Sequence, residues 1–254
     1  MDNKLISGKE VSAQIKEQVK QEVAFLNSKG VYPKLSVIIV GENPASQSYV
    51  KGKHKDCAEC GIISDNIAMP ETISQAELLA EIDRLNNDDS VHGILVQLPL
   101  PKHIDENAVI QAITPAKDVD GFHPETVGNM CIGTKGFLPC TPAGVIQLLK
   151  RSNIDISGKE CIVVGRSNIV GKPMAMLLLK ENGTVEICHS RTENLKEETL
   201  SADILVAAVG KADFVTADMV KDGAVVIDVG MNRNSEGKLC GDVCFEEVEK
   251  KASF

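Results

Sequence analysis

The 254-residue sequence contains no tryptophan, and only 3% of its residues are aromatic. Aromatic side chains are the platforms on which proteins stack the bases of single-stranded nucleic acids. The chain also lacks a surplus of positive charge, because it carries 36 acidic and 27 basic residues and a net charge of −9 at pH 7. Proteins that bind phosphate backbones depend on clustered Lys and Arg. The composition therefore argues against nucleic acid as a partner.

Long apolar runs are absent as well. The first residues, Met1–Leu5, turn polar at once and do not have the pattern of a signal peptide. No apolar stretch reaches the about 20 residues that a membrane-spanning helix needs. We therefore expect a cytoplasmic protein without a membrane partner, in which the eight scattered cysteines are reduced thiols.

Two pairs of cysteines have spacings that raise the question of a metal. Cys57 and Cys60 form a C-x-x-C, and Cys240 and Cys244 form a C-x-x-x-C. Structural zinc sites combine four ligands at characteristic spacings, often with histidine. Supporting histidines are missing, and the first pair falls in a helical pattern where both thiols can simply pack. We predict no metal site, with zinc or a redox pair as the weaker alternative.

Helical and strand patterns alternate through the first half of the chain. Apolar residues recur at helical spacing in some segments, and others are short β-branched runs that end at turn residues. The predicted elements are helices at 8–29, 46–60 and 75–86 and strands at 35–40, 62–69 and 91–98. This β-α-β-α-β order predicts a parallel sheet covered by helices.

Residues 115–124 interrupt this alternation with a polar, turn-rich segment. We place the domain boundary there, so that residues 1–120 form an N-terminal domain and residues 121–254 a C-terminal one. The second half has predicted helices at 142–151 and 172–182 and strands at 160–164, 184–188, 202–209 and 224–229. The fold class is therefore α/β, with a Rossmann-like pattern in the second domain.

The turn between the first strand and the following helix of the second half suits a pyrophosphate. Its glycines let the backbone approach a ligand, and the helix N-terminus offers unpaired N–H groups. The spacing is G-x₅-G and not G-x-G-x-x-G, so a tight turn without a ligand stays an alternative. The candidate cofactor contacts are Gly165, Arg166, Ser167, Ile169 and Gly171.

The end of the next strand indicates which dinucleotide binds. NAD sites usually place an acidic residue there for the ribose 2′-hydroxyl. This strand instead runs into Ser190 and Arg191. A hydroxyl and a guanidinium fit a 2′-phosphate, with Arg166 as a second cation. We therefore predict NADP as the cofactor, with a merely solvated Arg191 as the alternative.

Tyr49 and Lys53 stand at i and i+4 on the second predicted helix, so their side chains share a face. This helix begins at the carboxyl end of a parallel strand, where ligands of α/β sheets bind. Gln97 lies near the end of another strand, and Asp120 follows in the boundary segment. These four residues form a site if they converge, and an ordinary solvated basic face is the alternative.

Six motifs occur in order along nearly the whole chain. They are Y-x-x-x-K at 49–53, G-I-L-V-Q-L-P-L-P at 93–101, K-D-V-D-G at 117–121, C-T-P at 140–142, G-R-S-x-x-V-G-x-P at 165–173 and V-I-D-V-G at 226–230. Together they resemble the bifunctional methylenetetrahydrofolate dehydrogenase/cyclohydrolase family. The resemblance implies an N-terminal folate-binding catalytic domain with a parallel sheet, a C-terminal Rossmann-like NADP-binding domain, and a cleft between them.

The resemblance also implies two reactions of one-carbon metabolism that serve purine biosynthesis. NADP⁺ oxidises 5,10-methylenetetrahydrofolate to the methenyl form, and water converts that form to 10-formyltetrahydrofolate. Lys53 is then the central catalytic residue, and Gln97 holds it and orients substrate or water. Tyr49 lines the pterin, Asp120 accepts its N–H groups, and Asp118 is structural.

Further implications concern the cofactor, the partners and the end of the chain. Met231, directly after V-I-D-V-G, is the last predicted cofactor contact. The family implies tetrahydrofolate derivatives as substrates and a homodimer through the second domain. It normally continues past Lys251–Phe254 with a loop and a helix that this chain lacks. The alternatives are an amino-acid or shikimate-type dehydrogenase, a dinucleotide-binding protein without catalysis, and a dehydrogenase without cyclohydrolase activity.

Overall fold

The computed structural model describes residues 4–254, which form two compact units. The first unit is Lys9–Leu138, and the second comprises residues 4–8 and Pro139–Phe254. Residues 121–138 thus belong to the first unit, whereas the sequence places its boundary after residue 120. Each unit is built on a parallel sheet with helices, which confirms the predicted α/β class.

The first unit has a three-stranded parallel sheet in the order β2-β1-β3. Its elements are α1 (Gly8–Ser28), β1 (Lys34–Val40), α2 (Pro44–Cys60), β2 (Ile63–Met69), α3 (Gln75–Asn86), β3 (Gly93–Val96), α4 (Glu106–Ala112) and α5 (Pro124–Ile132). Since β1 is central, it is buried on both faces. Val37 and Ile39 pack with Val50 of α2, whereas Ile38 packs with Leu78 of α3.

Local signals fix both ends of α2, the helix that carries Tyr49 and Lys53. The side chain of Asn43 accepts hydrogen bonds from the N–H groups of Ala45 and Ser46, and Pro44 occupies the first turn. At the other end Gly61 adopts the left-handed conformation with φ of 79°, where a side chain would be strained. The helix therefore starts at the carboxyl end of β1, the edge where α/β sheets bind ligands.

The second unit has a four-stranded parallel sheet in the order β5-β4-β6-β7, followed by a short antiparallel hairpin. Its elements are α6 (Cys140–Arg151), β4 (Glu160–Val164), α7 (Gly171–Lys180), β5 (Thr184–Cys188), α8 (Leu195–Thr199), β6 (Ile204–Ala207), β7 (Val225–Asp228), β8 (Asn232–Arg233), β9 (Leu239–Cys240) and α9 (Phe245–Val248). The chain order reverses between β4 and β6, which marks the expected crevice for a dinucleotide. None of the helices within residues 4–254 combines the length and the hydropathy that a membrane span requires.

Candidate active site

Lys53 of α2 and Gln97, the residue after β3, meet in the first unit. The Nζ atom of Lys53 donates a hydrogen bond of 3.0 Å to Oε1 of Gln97. Gln97 is itself held, because its backbone N–H donates to the Ile38 carbonyl at 2.9 Å and its Nε2 donates to the Leu98 carbonyl at 2.9 Å. The amide therefore presents its oxygen to the lysine in a fixed orientation.

Asp120 lies within electrostatic reach of the same lysine. Burial raises the pKa of the Asp120 carboxyl above its ordinary value, the charge of Lys53 opposes this rise, and that of Asp118 adds to it. Asp120 also lines a narrow, mainly apolar cavity with Ile94 and Leu98. A carboxylate in such a wall makes strong hydrogen bonds with N–H groups of a ligand.

Tyr49 stands one helical turn before Lys53 on the same face of α2. Tyr49 is 46% exposed, so this residue lies at the surface of the unit. The structure thus brings Lys53, Gln97 and Asp120 together and places Tyr49 beside Lys53 along the helix.

Asp118 holds the turn that carries Asp120. It is only 2% exposed, and its Oδ2 atom accepts a hydrogen bond of 2.9 Å from the backbone N–H of His123. The next residue, Val119, packs so closely over Gly93 of β3 that a Cβ atom on the glycine would lie 2.6 Å from the valine side chain. Asp118 therefore stabilises the backbone of the turn that carries Asp120, and Gly93 allows this turn to lie against the sheet.

Lys117 fixes the other side of this turn. Its Nζ atom donates to the backbone carbonyls of Leu85 and Asn86, the last residues of α3, and of Asp88 just beyond it, at 2.8–2.9 Å. The last carbonyls of a helix lack partners within the helix, and a cation there is also favoured by the helix dipole.

We expect Lys117→Met to lower the free energy of unfolding by about 1–3 kcal/mol, because carbonyl groups then lose their donor. Denaturant unfolding of the variant and the wild type measures the loss. Lys102→Met is the matched control, since Lys102 is exposed. An unchanged unfolding midpoint for Lys117→Met would show that these hydrogen bonds contribute nothing to stability.

In the second unit, the turn after β4 leaves no room for side chains at its two glycines. Gly165 has φ of 136°, and a Cβ atom there would lie 2.2 Å from the carbonyl oxygen of Ala208. A Cβ atom on Gly171 would lie 2.2 Å from the carbonyl oxygen of Gly165. The backbone is therefore tightly folded at the start of α7, as a close approach to phosphates requires.

Ser167 shapes this turn from within. Its Oγ atom accepts hydrogen bonds from the N–H groups of Val170 at 3.1 Å and Gly171 at 3.2 Å. The hydroxyl thus satisfies donors at the N-terminus of α7 that otherwise lack partners. Arg166 is exposed on the same turn, and Ile169 is 40% exposed.

The turn after β5 presents a second polar surface. His189 organises it, because its Nδ1 atom accepts from the N–H of Arg191 at 3.1 Å and its own N–H donates to Oγ1 of Thr192 at 2.8 Å. Ser190 and Arg191 are exposed there. Among residues 4–254, neither Arg166 nor Arg191 takes part in an ion pair, so both guanidinium groups can bind an anionic ligand.

The segment between β9 and α9 contains a residue that no sequence motif indicates. Asp242 is fully buried, and its carboxylate accepts hydrogen bonds from the N–H groups of Val209, Gly210 and Lys211. Met231, which the sequence predicts as a cofactor contact, is 62% exposed in the loop after β7.

The cysteines do not assemble into a ligand cluster. All eight are free thiols, and burial raises the pKa of Cys57 and Cys60, which keeps these thiols protonated. Protonated thiols are poor metal ligands and poor nucleophiles. Within the described residues, no group of three or more His, Cys, Asp or Glu is arranged to hold a metal ion.

These features define a dinucleotide-binding α/β enzyme whose other unit carries a lysine, an amide and a carboxylate at a sheet edge. Comparison with known proteins identifies the family. The catalytic domain of tetrahydrofolate dehydrogenase/cyclohydrolase matches residues 6–120, and the NAD(P)-binding domain of the same family matches residues 139–254. The chain belongs to the tetrahydrofolate dehydrogenase/cyclohydrolase family, which confirms the resemblance seen in its motifs.

Similar proteins support this membership over almost the full chain. The bifunctional protein FolD of Bacillus anthracis is 59% identical over 250 residues, which are 98% of this chain and 87% of that protein. The structure of FolD from Campylobacter jejuni has 53% identity and a TM-score of 0.95, with 98% of this chain and 88% of that chain covered. FolD from Trypanosoma brucei, solved with NADP cofactor and an inhibitor, has 39% identity and a TM-score of 0.91, with 97% and 87% covered.

Proposed function

We propose that this chain oxidises 5,10-methylenetetrahydrofolate to 5,10-methenyltetrahydrofolate with NADP⁺ and hydrolyses the product to 10-formyltetrahydrofolate. The observation that carries the proposal is the 3.0 Å hydrogen bond between Lys53 and Gln97, with Asp120 in electrostatic reach. The relatives that match 98% of the chain are named bifunctional FolD, and this supports both activities. The test is formation of NADPH from the methylene substrate, followed by loss of the methenyl product.

Asp120 and Tyr49 are the proposed contacts of the folate. The pterin ring presents an amino group and a ring N–H side by side, and a carboxylate can accept both. Asp120 meets this need only as the anion, and its pKa is raised by burial. Folate binding therefore weakens on acidification at a higher pH than that at which an ordinary aspartate titrates. Tyr49 offers a half-exposed ring along which the pterin can lie.

Lys53 and Gln97 are the proposed groups for the chemical steps. When bound, NADP⁺ supplies the hydride acceptor, so the task of the first unit is to hold the one-carbon bridge in place. In the hydrolysis, the Lys53 nitrogen is the proposed group that takes a proton from the attacking water. The Gln97 oxygen accepts a hydrogen bond from that nitrogen and so keeps it directed at the substrate.

The second unit provides a surface that fits NADP. The glycine turn at 165–171 admits only backbone close to the start of α7, which suits a pyrophosphate. The proposed contacts of the 2′-phosphate are Arg166, Ser190 and Arg191. Ser167 maintains the glycine turn through its hydrogen bonds to the start of α7. Ile169 and Met231 offer exposed apolar surface to the rings of the cofactor.

We expect Arg166→Ala to weaken NADP⁺ binding by about 10- to 100-fold, because a charge-assisted hydrogen bond to the 2′-phosphate is lost. NAD⁺, which lacks that phosphate, should bind with nearly unchanged affinity. Michaelis constants for both cofactors measure the effect. Arg233→Ala in the β8–β9 hairpin is the matched control in the same unit. An equal loss for NADP⁺ and NAD⁺ would count against the 2′-phosphate role.

The remaining properties are proposed from composition and family. Residues 1–120 supply the folate-binding domain and the NADP-binding domain lies within residues 121–254, of which residues 121–138 pack with the first unit. The protein works in the cytoplasm as a homodimer through the second domain, supplies 10-formyltetrahydrofolate to purine biosynthesis, and has neither nucleic acid nor membrane as a partner. The net charge of −9 and the scarcity of aromatic residues support the absence of a nucleic-acid partner. Light scattering on a sizing column tests the dimer, and a monomeric mass contradicts it.

A further inference from the structure

The loop after β6 is tied to a single buried carboxylate. Oδ2 of Asp242 accepts hydrogen bonds from the N–H groups of Val209 at 2.5 Å and Gly210 at 3.0 Å. Its Oδ1 atom accepts from the N–H of Lys211 at 2.8 Å and from Nδ2 of Asn232 at 2.8 Å. Three successive backbone donors therefore turn inward toward one side chain.

A second carboxylate, at the end of β7, holds the segment that carries Asp242. Oδ1 of Asp228 accepts from the N–H groups of Gly230 and Asp242, both at 2.9 Å. Its Oδ2 atom accepts from the N–H of Val243 at 3.0 Å. The loop after β6, the end of β7 and the segment after β9 are thus joined through Asp228 and Asp242 into one hydrogen-bonded assembly.

Two glycines make this assembly possible. A Cβ atom on Gly230 would lie 2.3 Å from Oδ1 of Asp242, and one on Gly241 would lie 1.7 Å from Oδ2 of Asp228. Any side chain at either position would push the carboxylate away from its donors. The hydrogen bonds of the two aspartates therefore require glycine at both positions.

The assembly lies at the carboxyl edge of the sheet, on the β6–β7 side of the point where strand order reverses. The proposed contacts of the 2′-phosphate and the pyrophosphate lie on the other side, after β5 and β4. A dinucleotide crosses this edge, so its nicotinamide half falls toward β6 and β7. The loop after β6 also touches the glycine turn directly, since the Ala208 carbonyl occupies the space where Gly165 would carry a Cβ atom.

The hydrogen bonds to Asp242 determine which backbone groups of the loop after β6 can still bind a ligand. The N–H groups of Val209, Gly210 and Lys211 already donate to Asp242. Within residues 4–254, no hydrogen bond uses the carbonyl oxygens of Ala208, Val209 or Gly210. The loop therefore has acceptors left, and a carboxamide NH₂ group needs acceptors.

We propose that Asp242 is a positioning residue for the nicotinamide half of the cofactor. It does not touch the ligand. It holds the N–H groups of residues 209–211 inward so that the carbonyl oxygens of this loop accept the carboxamide NH₂ of the nicotinamide. The proposal rests on the cofactor site proposed above. It adds the residue that orients the backbone expected to contact the nicotinamide.

The test compares Asp242→Asn with wild type for binding of NADP⁺ and of adenosine 2′,5′-bisphosphate, which lacks the nicotinamide half. Titration calorimetry on the whole chain should show that the variant binds NADP⁺ about tenfold or more weakly, because donors now face an amide NH₂. Affinity for the bisphosphate should stay within about twofold. The matched control is Asp203→Asn. Asp203 accepts one backbone N–H at the opposite end of β6, and its replacement should leave both affinities unchanged.

Asn232→Ala provides a milder variant in case Asp242→Asn does not fold. It removes one donor to Asp242, and a smaller loss for NADP⁺ alone is expected. Equal losses for both ligands, or no loss for NADP⁺ in a folded variant, overturn the positioning role. Failure of the wild type to bind either ligand overturns the cofactor proposal itself, and with it this one.

Discussion

Replacing Lys53 with methionine is expected to abolish hydrolysis of 5,10-methenyltetrahydrofolate and to leave the fold intact. Methionine keeps an unbranched, apolar side chain of similar length, so α2 loses little packing. The Nζ atom that bonds to Gln97 and accepts the proton of water is gone. Loss of a general base lowers a rate by about 100- to 10,000-fold. The decay of methenyl absorbance, corrected for the spontaneous reaction, measures the effect.

The control for this variant is Lys55→Met on the same helix, where the lysine is exposed and lies outside the cluster. It should hydrolyse the methenyl substrate at the wild-type rate. A folded Lys53→Met protein with wild-type hydrolysis would refute the role of Lys53, and equal losses in both variants would point to a general effect of charge on α2.

Asp120→Asn is expected to raise stability and to impair folate binding. Burial raises the pKa of Asp120 in the folded state, so the ionised carboxylate costs stability at every pH above that raised pKa. The neutral amide removes this cost, so the free energy of unfolding at pH 7 should rise. The Michaelis constant for the folate should increase by about tenfold or more, because an amide NH₂ opposes the N–H groups of the pterin.

The pH dependence provides an internal check on this prediction. The stability gain should shrink as pH falls through the folded-state pKa, because the wild-type carboxyl then becomes neutral as well. Asp118→Asn is the matched control and should lose stability, since Asp118 is almost fully buried and holds the His123 N–H. A less stable Asp120→Asn protein with an unchanged Michaelis constant would contradict both the environment and the role assigned to Asp120.

Much of the fold follows from local patterns in the sequence. The buried strand at 160–164 and the strand at 184–188 have the predicted bounds, since apolar runs between turn residues specify them directly. The helices α4, α5, α8 and α9 have four to nine residues and escape prediction. Helices this short gain most of their stability from tertiary packing, which no local pattern reports.

The residues of the candidate site can likewise be predicted from local patterns only in part. Tyr49 and Lys53 share a helix face because of their spacing, and Gln97 follows a strand, so sequence reasoning can place them at one sheet edge. That Lys53 bonds to Gln97 depends on the pairing of β1 with β3, which is long-range. Asp242 carries no motif, because its role arises from loops brought together by the second sheet. The glycines at 230 and 241 are the signal that indicates crowded backbone there.

The most direct test of the account is the NADP⁺-dependent oxidation of 5,10-methylenetetrahydrofolate by this chain, with NAD⁺ run in parallel. We expect the reduced cofactor to form faster from NADP⁺ than from NAD⁺ at equal concentration, and 10-formyltetrahydrofolate to accumulate. A folded chain that binds NADP⁺ and the folate but forms neither NADPH nor the formyl product would contradict it.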